Sequence, residues 1–203
     1  MAAAVILFDL GKVIFDYDFD KAYKGYIKKV AKKVDIVGMD SLFNLELLDQ
    51  YERGNIETKD FFAQFSKAVG YSGTINEFTL LWNDIFTPIE PILFLIPQLA
   101  KKNRLAMLTN ICDLHFTYLT ERYPQVFLLF EKVFASYQMH KRKPDPAIYQ
   151  EVIDALAVDP SKIFFTDDKP ENIEAAKKCG INAHQFTNPK NLIKQLNDEG
   201  IIC

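Results

Sequence analysis

The chain has 203 residues, of which 49% are hydrophobic and 25% are charged, and its formal net charge is −3. This length and apolar fraction are enough for one domain with a sizeable core, or for one domain that carries an insertion. The slightly acidic charge gives no electrostatic basis for nucleic-acid binding, and no apolar stretch is long enough to span a membrane.

The first predicted element is a strand over Val5–Phe8, four apolar residues in an uninterrupted run. A run this short and continuous is typical of a strand buried on both faces of a parallel sheet. Asp9 follows at the carboxyl end of this strand, where ligand sites form in open α/β sheets. Gly11, two residues later, lets the backbone turn or approach a ligand closely.

Residues 18–87 show no strand pattern and at least three helical patterns. The first has apolar positions at helical spacing and a row of lysines on another face; these positions are Tyr23, Tyr26, Ile27, Val30 and Val34, and the lysines are Lys21, Lys24, Lys28 and Lys32. Further helices are predicted over residues 41–51, after Thr58, and after the capping-box pattern Thr74-Ile75-Asn76-Glu77. We therefore expect an all-helical insertion.

From Pro91 onward, short apolar runs alternate with helical patterns. Strands are predicted over residues 105–108, 133–135, 163–165 and 183–186, and helices over residues 91–102, 113–122, 146–157, 170–179 and 191–196. Pro170 and Gly180 mark the start and the end of one of these helices. The alternation predicts an α/β fold with a parallel sheet covered on both faces. We expect a core of residues 1–17 and 88–203, with residues 18–87 inserted between them.

Polar residues follow three of the predicted strands. They are Asp9, the pair Thr109-Asn110 and the run Thr166-Asp167-Asp168. The topology gathers these positions at one edge of the sheet. Lys143 stands just before a predicted helix and can reach the same edge.

Such a set of side chains supports a narrow chemistry. Three carboxylates in one crevice repel each other unless a cation neutralises them, and hard oxygen ligands favour Mg²⁺. A magnesium ion, a lysine and a hydroxyl–amide pair suit phosphoryl transfer, because its transition state spreads negative charge over the phosphoryl oxygens. One carboxylate is then available as a covalent nucleophile.

The residues singled out above lie in four short motifs, which in chain order are Phe8-Asp9-Leu10-Gly11-Lys12-Val13, Leu108-Thr109-Asn110, Lys143-Pro144-Asp145-Pro146-Ala147-Ile148-Tyr149 and Phe165-Thr166-Asp167-Asp168-Lys169-Pro170-Glu171-Asn172. Together they resemble, in the right order, the four motifs of the haloacid dehalogenase-like hydrolase superfamily. The resemblance spans almost the whole chain. It implies a Rossmann-like core with a helical cap between the first and second motifs, where residues 18–87 lie.

The resemblance also implies roles for individual residues. Asp9 would attack phosphorus while Thr109 and Lys143 hold the phosphoryl oxygens. Mg²⁺ would be bound by Asp9, the carbonyl of Gly11 and Asp168, with Asp167 as a close or water-mediated support. Asn110 and Asn172 would brace the site, and Asn110 is also a candidate substrate contact.

Position 11 departs from the pattern of most phosphatases in this superfamily. They carry a second aspartate there as general acid and base, and its loss is worth roughly 10²–10⁴ in rate. Three nearby carboxylates, Asp16, Asp18 and Asp20, are candidate substitutes. The alternative is that they stand at the start of the first helix of the insertion, where carboxylates are common. A bacterial branch that resembles sugar-1-phosphate phosphatases also has glycine at this position. An anomeric leaving group needs less help from an acid.

Three functions compete. The first is a magnesium-dependent phosphatase for a small phosphorylated metabolite, with sugar phosphates among the candidates. The second is a metal-independent 2-haloacid dehalogenase, which also needs no second aspartate. The pair Asp167-Asp168 and the lack of any arginine before Arg53 argue against it. The third is a non-catalytic binding protein in which Gly11 marks lost activity.

The sequence also bears on location and on substrate. The first eight residues lack the basic segment and the long apolar run of a signal peptide. The three cysteines, Cys112, Cys179 and Cys203, form no CxxC pair, which favours reduced thiols in the cytoplasm. Residues 18–87 identify no substrate, and Arg53, in the predicted turn Tyr51-Glu52-Arg53-Gly54, is either a surface residue or a substrate contact. The oligomeric state stays open.

Overall fold

The structure is a computed structural model, and it describes residues 4–30 and 45–202. Parts of two predicted helices lie outside these residues. They are Lys32 and Val34 of the first helical pattern and residues 41–44 of the second. Cys203 also lies outside the described residues.

Seven strands occur in the described part of the chain. They are β1 (Val5–Phe8), β2 (Phe15–Tyr17), β3 (Phe86–Pro88), β4 (Arg104–Thr109), β5 (Lys132–Ala135), β6 (Ile163–Asp167) and β7 (Asn182–Gln185). Five of them form one parallel sheet in the order β5-β4-β1-β6-β7. The other two, β2 and β3, form a separate antiparallel ribbon.

Eleven α-helices connect and cover these strands in the described residues. They are α1 (Phe19–Tyr26), α2 (Leu45–Glu52), α3 (Thr58–Val69), α4 (Ile75–Asn83), α5 (Glu90–Ala100), α6 (Asp113–Arg122), α7 (Pro124–Phe127), α8 (Ser136–Met139), α9 (Pro146–Leu156), α10 (Pro170–Lys178) and α11 (Pro189–Asp198). Among the described helices, none has the length and apolar character that crossing a membrane requires.

Strand β1 lies at the centre of the sheet, between β4 and β6, and its four residues are fully buried. Ile6 and Phe8 pack into one hydrophobic cluster, and Val5 and Leu7 pack into the cluster on the other face. Burial of each such side chain stabilises the fold by about 1.5–3 kcal/mol. The predicted α/β fold, with a parallel sheet covered on both faces, is confirmed.

The helices α1 to α4 have a third hydrophobic cluster, which is rich in aromatic rings. Tyr51 stacks on Phe61 with ring centroids 4.3 Å apart, and Phe78 stacks on Trp82 at 5.5 Å. The predicted capping box at the start of α4 is present, because the Thr74 and Glu77 side chains each accept from the other residue's backbone N–H. This helical segment therefore has a core of its own.

The antiparallel ribbon corrects the expectation that residues 18–87 contain no strand. Strand β3 begins at Phe86, and Asp16 of β2 pairs with Thr87. The chain thus enters the helical segment through β2 and returns to the core through β3, so both connections lie in one ribbon. Three-residue strands leave no alternating pattern in the sequence, and this pairing joins distant parts of the chain, so the sequence did not reveal it. The helices α7 and α8 were also missed, because four residues are too few to show a helical period.

Candidate active site

The pairing of β1 brings the ends of three strands together. Phe8 lies opposite Met107 on β4 and Thr166 on β6. Asp9 follows directly, and its backbone N–H still donates to Thr166 O at 2.9 Å. The residue is only 7% exposed, and its Oδ1 accepts from the backbone N–H of Leu10 at 2.7 Å. The carboxylate is therefore fixed at the carboxyl edge of the central strand.

Lys143 is a buried lysine that faces this carboxylate. Its Nζ lies 2.8 Å from Asp9 Oδ1 and 2.6 Å from Asp167 Oδ2, and it donates to Leu108 O at 2.8 Å. These three contacts match the three donors of an ammonium group. Asn110 holds the Lys143 backbone in both directions, since its Oδ1 accepts from Lys143 N–H and its Nδ2 donates to Lys143 O.

Asp167 is fully buried, and both of its oxygens are occupied. Oδ1 accepts from Lys169 N–H at 2.9 Å and from Asn172 Nδ2 at 2.9 Å. Oδ2 accepts from Lys143 Nζ at 2.6 Å and from Asn172 Nδ2 at 3.0 Å. Two carboxylate oxygens offer about four lone-pair positions, and these four contacts use them to hold Lys143, Lys169 and Asn172 in place.

One oxygen from each of Asp9, Asp167 and Asp168 lies within 4.8 Å of the others. Asp168 is half-buried. Three carboxylates and one ammonium leave two negative charges in excess, which a divalent cation neutralises. Carboxylate and carbonyl oxygens are the ligands that Mg²⁺ prefers, so the donor set fits this ion.

Burial and neighbouring charges shift the pKa values of these groups, and a bound cation would oppose the rise at the carboxylates. Burial raises the pKa of Asp9 to about 7, against the opposing effect of Lys143 and with help from Asp167. Burial also raises the pKa of Asp168, and the charge of Asp167 adds to the rise. For Lys143, burial lowers the pKa, but the two carboxylates outweigh burial and the pKa is raised. The lysine therefore stays an ammonium.

A cavity of about 470 Å³ opens over these residues, between the sheet edge and the helical segment. It is lined by Asp9, Gly11, Thr109, Asn110, Lys143, Asp168, Lys169 and Asn172 from the sheet side, by an aromatic wall of Tyr17, Phe19 and Phe86, and by Leu48, Glu52, Ile85, Ile111, His115 and Arg142. The structure thus brings the predicted residues together around one cavity, except Asp167, which lies buried beneath it.

Tyr17 fills the space beside Gly11. The backbone of Gly11 lies outside the left-handed region, and a Cβ added there would meet Tyr17 Cε1 at 3.0 Å. The ring is fixed by edge contacts to Phe19 and Phe86, with centroids 5.4 and 6.4 Å away. The ring of Tyr17, more than backbone strain, therefore limits the side chain that position 11 accepts.

The three carboxylates considered as substitutes for the missing aspartate lie elsewhere. Asp16, Asp18 and Asp20 are exposed and do not line the cavity. Asp16 pairs with Lys12, and Asp18 caps α1 by accepting from Asp20 N–H at 2.9 Å. Asp18 thus begins the first helix of the segment, which was the alternative prediction.

Tyr17, Glu52 and Arg142 line the cavity, although the sequence did not indicate them. Arg53, which the sequence left open as a surface residue or a substrate contact, pairs with Asp49 at 2.7 Å and does not line this cavity. No spacing rule could find Glu52 and Arg142, because they meet only through tertiary contact. The one signal was the basic run Lys141-Arg142-Lys143, which placed Arg142 beside a predicted site residue.

The chain matches one protein family over most of its length, and its relatives include two phosphatases. The family model described as haloacid dehalogenase-like hydrolase matches residues 6–186. The chain is 29% identical over 192 residues to a D-ribitol-5-phosphate phosphatase of Bacteroides thetaiotaomicron, covering 90% of this chain and 91% of the relative. It is 28% identical over 179 residues to a sesquiterpene phosphatase of Aspergillus oryzae, covering 86% and 85%.

A solved structure of the same superfamily has the same fold. It is an enzyme of Bacteroides thetaiotaomicron in complex with magnesium and inorganic phosphate, with a TM-score of 0.83 and 25% identity. The alignment covers 92% of this chain and 96% of that protein.

Proposed function

Because the chain belongs to the haloacid dehalogenase-like hydrolases, we propose that it is a magnesium-dependent phosphatase of a small phosphorylated metabolite. The observation that carries the proposal is the position of Asp9. A buried carboxylate at the end of the central strand faces a buried lysine and lies beside a second carboxylate that fits a divalent cation. The phosphatase relatives and the structure with magnesium and phosphate support the same function.

We propose that Asp9 is the nucleophile. Within residues 4–30 and 45–202, the contacts of its carboxylate with Leu10 and Lys143 are both made by Oδ1, which leaves Oδ2 to attack phosphorus. The Oδ2–P bond forms as the bond from phosphorus to the ester oxygen breaks, and the alcohol leaves with a proton from solvent. Water then attacks the aspartyl phosphate, which releases inorganic phosphate and restores Asp9.

The charged neighbours of Asp9 suit this chemistry. Lys143, held by Asn110, places a positive charge where phosphoryl oxygens gain charge in the transition state, and the hydroxyl of Thr109 lines the same space. Asp9, Asp168 and the carbonyl of Gly11 would hold Mg²⁺, with Asp167 orienting Lys143 from below. The ion would supply positive charge that offsets the carboxylates and the phosphoryl group.

The helical segment completes the site by covering it. We propose that residues 18–87 form the cap, with the β2–β3 ribbon as its connection to the core. Leu48 and Ile85 place apolar surface over the charged groups, which limits the access of water. A less polar surrounding strengthens every electrostatic contact within it.

The experiment that tests the proposal is hydrolysis of 4-nitrophenyl phosphate with Mg²⁺ and with chelator. We expect activity only with Mg²⁺, and none in Asp9→Asn, because the amide is neither a nucleophile nor an anionic ligand. Activity that persists in chelator would contradict the proposal. Turnover of 2-haloacids in chelator would favour the dehalogenase, and turnover of neither substrate would favour a non-catalytic protein.

A further inference from the structure

The ring of Tyr17 occupies the space into which a side chain at position 11 would point. A Cβ on Gly11 would lie 3.0 Å from Tyr17 Cε1 and 3.5 Å from its Cδ1. Cε1 is bonded to the ring carbon that carries the hydroxyl, so the hydroxyl end of the ring is the nearer end. The Tyr17 hydroxyl therefore lies on the side of the site where most phosphatases of this superfamily carry the second aspartate.

The carboxylates around the Tyr17 hydroxyl show which way it faces. Burial raises the pKa of this phenol to about 12, and the negative charges of Asp168, Asp9 and Glu52 add to the rise. Asp9 and Asp168 follow the strands β1 and β6, whereas Glu52 ends the helix α2 of the helical segment. All three line the main cavity. The hydroxyl therefore faces this cavity, between the sheet edge and the helical segment.

The Tyr17 hydroxyl is an unused donor that a ligand can reach. In the part of the chain that the structure describes, it makes no hydrogen bond, and it is not among the polar atoms that are closed off from solvent. Tyr17 is partly exposed and lines the cavity. A tyrosine hydroxyl keeps its proton at neutral pH, so it can donate to an oxygen of a bound ester.

The ring is held in place by contacts that do not involve its hydroxyl. Tyr17 pairs with Phe86 across the β2–β3 ribbon, and its ring has edge contacts to Phe19 and Phe86. Lys12 Nζ donates to Tyr17 O at 2.8 Å and lies 4.6 Å from the centroid of the ring. The donor is therefore fixed before any ligand binds, which lowers the entropic cost of using it.

The leaving oxygen of a bound phosphate ester lies on the cavity side of phosphorus. Beneath Asp9, the site is closed by the buried side chains of Lys143 and Asp167, so phosphorus approaches Asp9 from the cavity. The attacking and leaving oxygens are roughly in line in phosphoryl transfer. The leaving oxygen therefore points away from Asp9 into the cavity that the Tyr17 hydroxyl faces, and it gains negative charge as its bond to phosphorus breaks.

We propose that the Tyr17 hydroxyl donates a hydrogen bond to this leaving oxygen, in place of the aspartate that is absent from position 11. The hydrogen bond stabilises the negative charge that develops on the oxygen. Tyr17 keeps its own proton, and solvent protonates the alcohol as it leaves. Esters with poor leaving groups gain most from the contact. This inference rests on the proposed phosphatase function.

The test compares the wild type with Tyr17→Phe, which removes the hydroxyl and keeps the ring. The substrates are 4-nitrophenyl, phenyl and benzyl phosphate with Mg²⁺, because their rings are similar while their leaving oxygens become more basic in this order. We expect kcat/KM for benzyl phosphate to fall by about 10–100-fold in Tyr17→Phe, and that for 4-nitrophenyl phosphate to fall by less than about 3-fold. The ratio kcat/KM reports the transfer of the phosphoryl group to Asp9.

The matched control is Tyr118→Phe, which removes a partly exposed hydroxyl on α6, outside the cavity. It should match the wild type on all three esters. The midpoint of thermal unfolding should be unchanged in Tyr17→Phe, because the hydroxyl has no partner in the described residues. The pH dependence of kcat/KM should also be unchanged, because Tyr17 transfers no proton.

Other roles for Tyr17 predict other results. Equal losses on all three esters, or no loss on benzyl phosphate, would overturn the inference, as would failure of Tyr17→Phe to fold. Equal losses together with weaker Mg²⁺ binding would place the hydroxyl at the metal ion instead. In each of these cases, hydrolysis of 4-nitrophenyl phosphate by the wild type leaves the phosphatase function standing. If the wild type hydrolyses none of the esters, both proposals fail.

Discussion

Replacing Asp9 with asparagine should make the metal-free protein more stable as the pH rises, relative to the wild type. Burial raises the pKa of Asp9 to about 7 in the folded protein, from an ordinary value of 3.8. The folded state therefore holds the proton more tightly than the unfolded state does. The stabilisation from this group is complete below about pH 4 and is lost as the pH rises through 7.

The size of this effect follows from the two pKa values. One pKa unit corresponds to about 1.4 kcal/mol, and only the part of the shift that lies between the two pH values counts. From pH 5 to pH 8, the wild-type protein should lose roughly 2–3 kcal/mol of unfolding free energy through Asp9. Asp9→Asn has no charge to bury at this position and should not lose it.

Urea unfolding of both proteins in chelator, at pH 5 and at pH 8, measures the difference. The unfolding free energy of Asp9→Asn minus that of the wild type should grow by roughly 2–3 kcal/mol across this range. Groups that do not interact with Asp9 titrate equally in both proteins and cancel, and Lys143 stays an ammonium in this pH range. Asp84→Asn, which changes an exposed carboxylate, is the matched control and should show no such growth.

Magnesium should reverse the order of stability. The ion stabilises the folded wild type by binding it, and this gain should increase with pH because the ion competes with the proton on Asp9. Asp9→Asn should gain less. If the difference in unfolding free energy between the two proteins does not change with pH in chelator, the reasoning is refuted. That result would show that ionising Asp9 does not destabilise the folded state.

Three further predictions follow from the site and its connection to the helical segment. Asp168→Ala should weaken Mg²⁺ binding, measured by titration calorimetry, far more than Lys143→Ala, which should instead lower kcat; equal losses of metal affinity would contradict the assigned roles. Gly11→Asp should lower activity on all esters, because its Cβ meets the Tyr17 ring. The double variant Gly11→Asp/Tyr17→Ala should regain activity and favour alkyl over aryl phosphates. Additive effects of the two substitutions on kcat/KM would show that the two positions are not coupled. Gly54→Ala, at a φ of +67°, should cost at least about 1–3 kcal/mol in urea unfolding, and wild-type stability would mean that this backbone is not held as described.

Much of the core followed from local sequence patterns. The strands β1, β4 and β6 are short apolar runs, and parallel pairing requires their carboxyl ends to meet at one edge. The position of Asp9 could therefore be predicted before any contact was known. The helix starts at Thr74 and Pro170 were equally clear, because a capping box and a proline in the first turn act through neighbouring residues alone.

The sequence by itself determined the fold class, the edge of the sheet that carries the chemistry and the residues at the ends of its strands. Only the tertiary structure decided what surrounds them: the ring of Tyr17 beside Gly11, the pairing of β2 with β3, and the contact of Glu52 with Arg142. The physical reason is the range of the interactions. Periodicity and capping act between residues a few positions apart, whereas these contacts join distant segments through packing and charge, which leave no regular spacing in the chain.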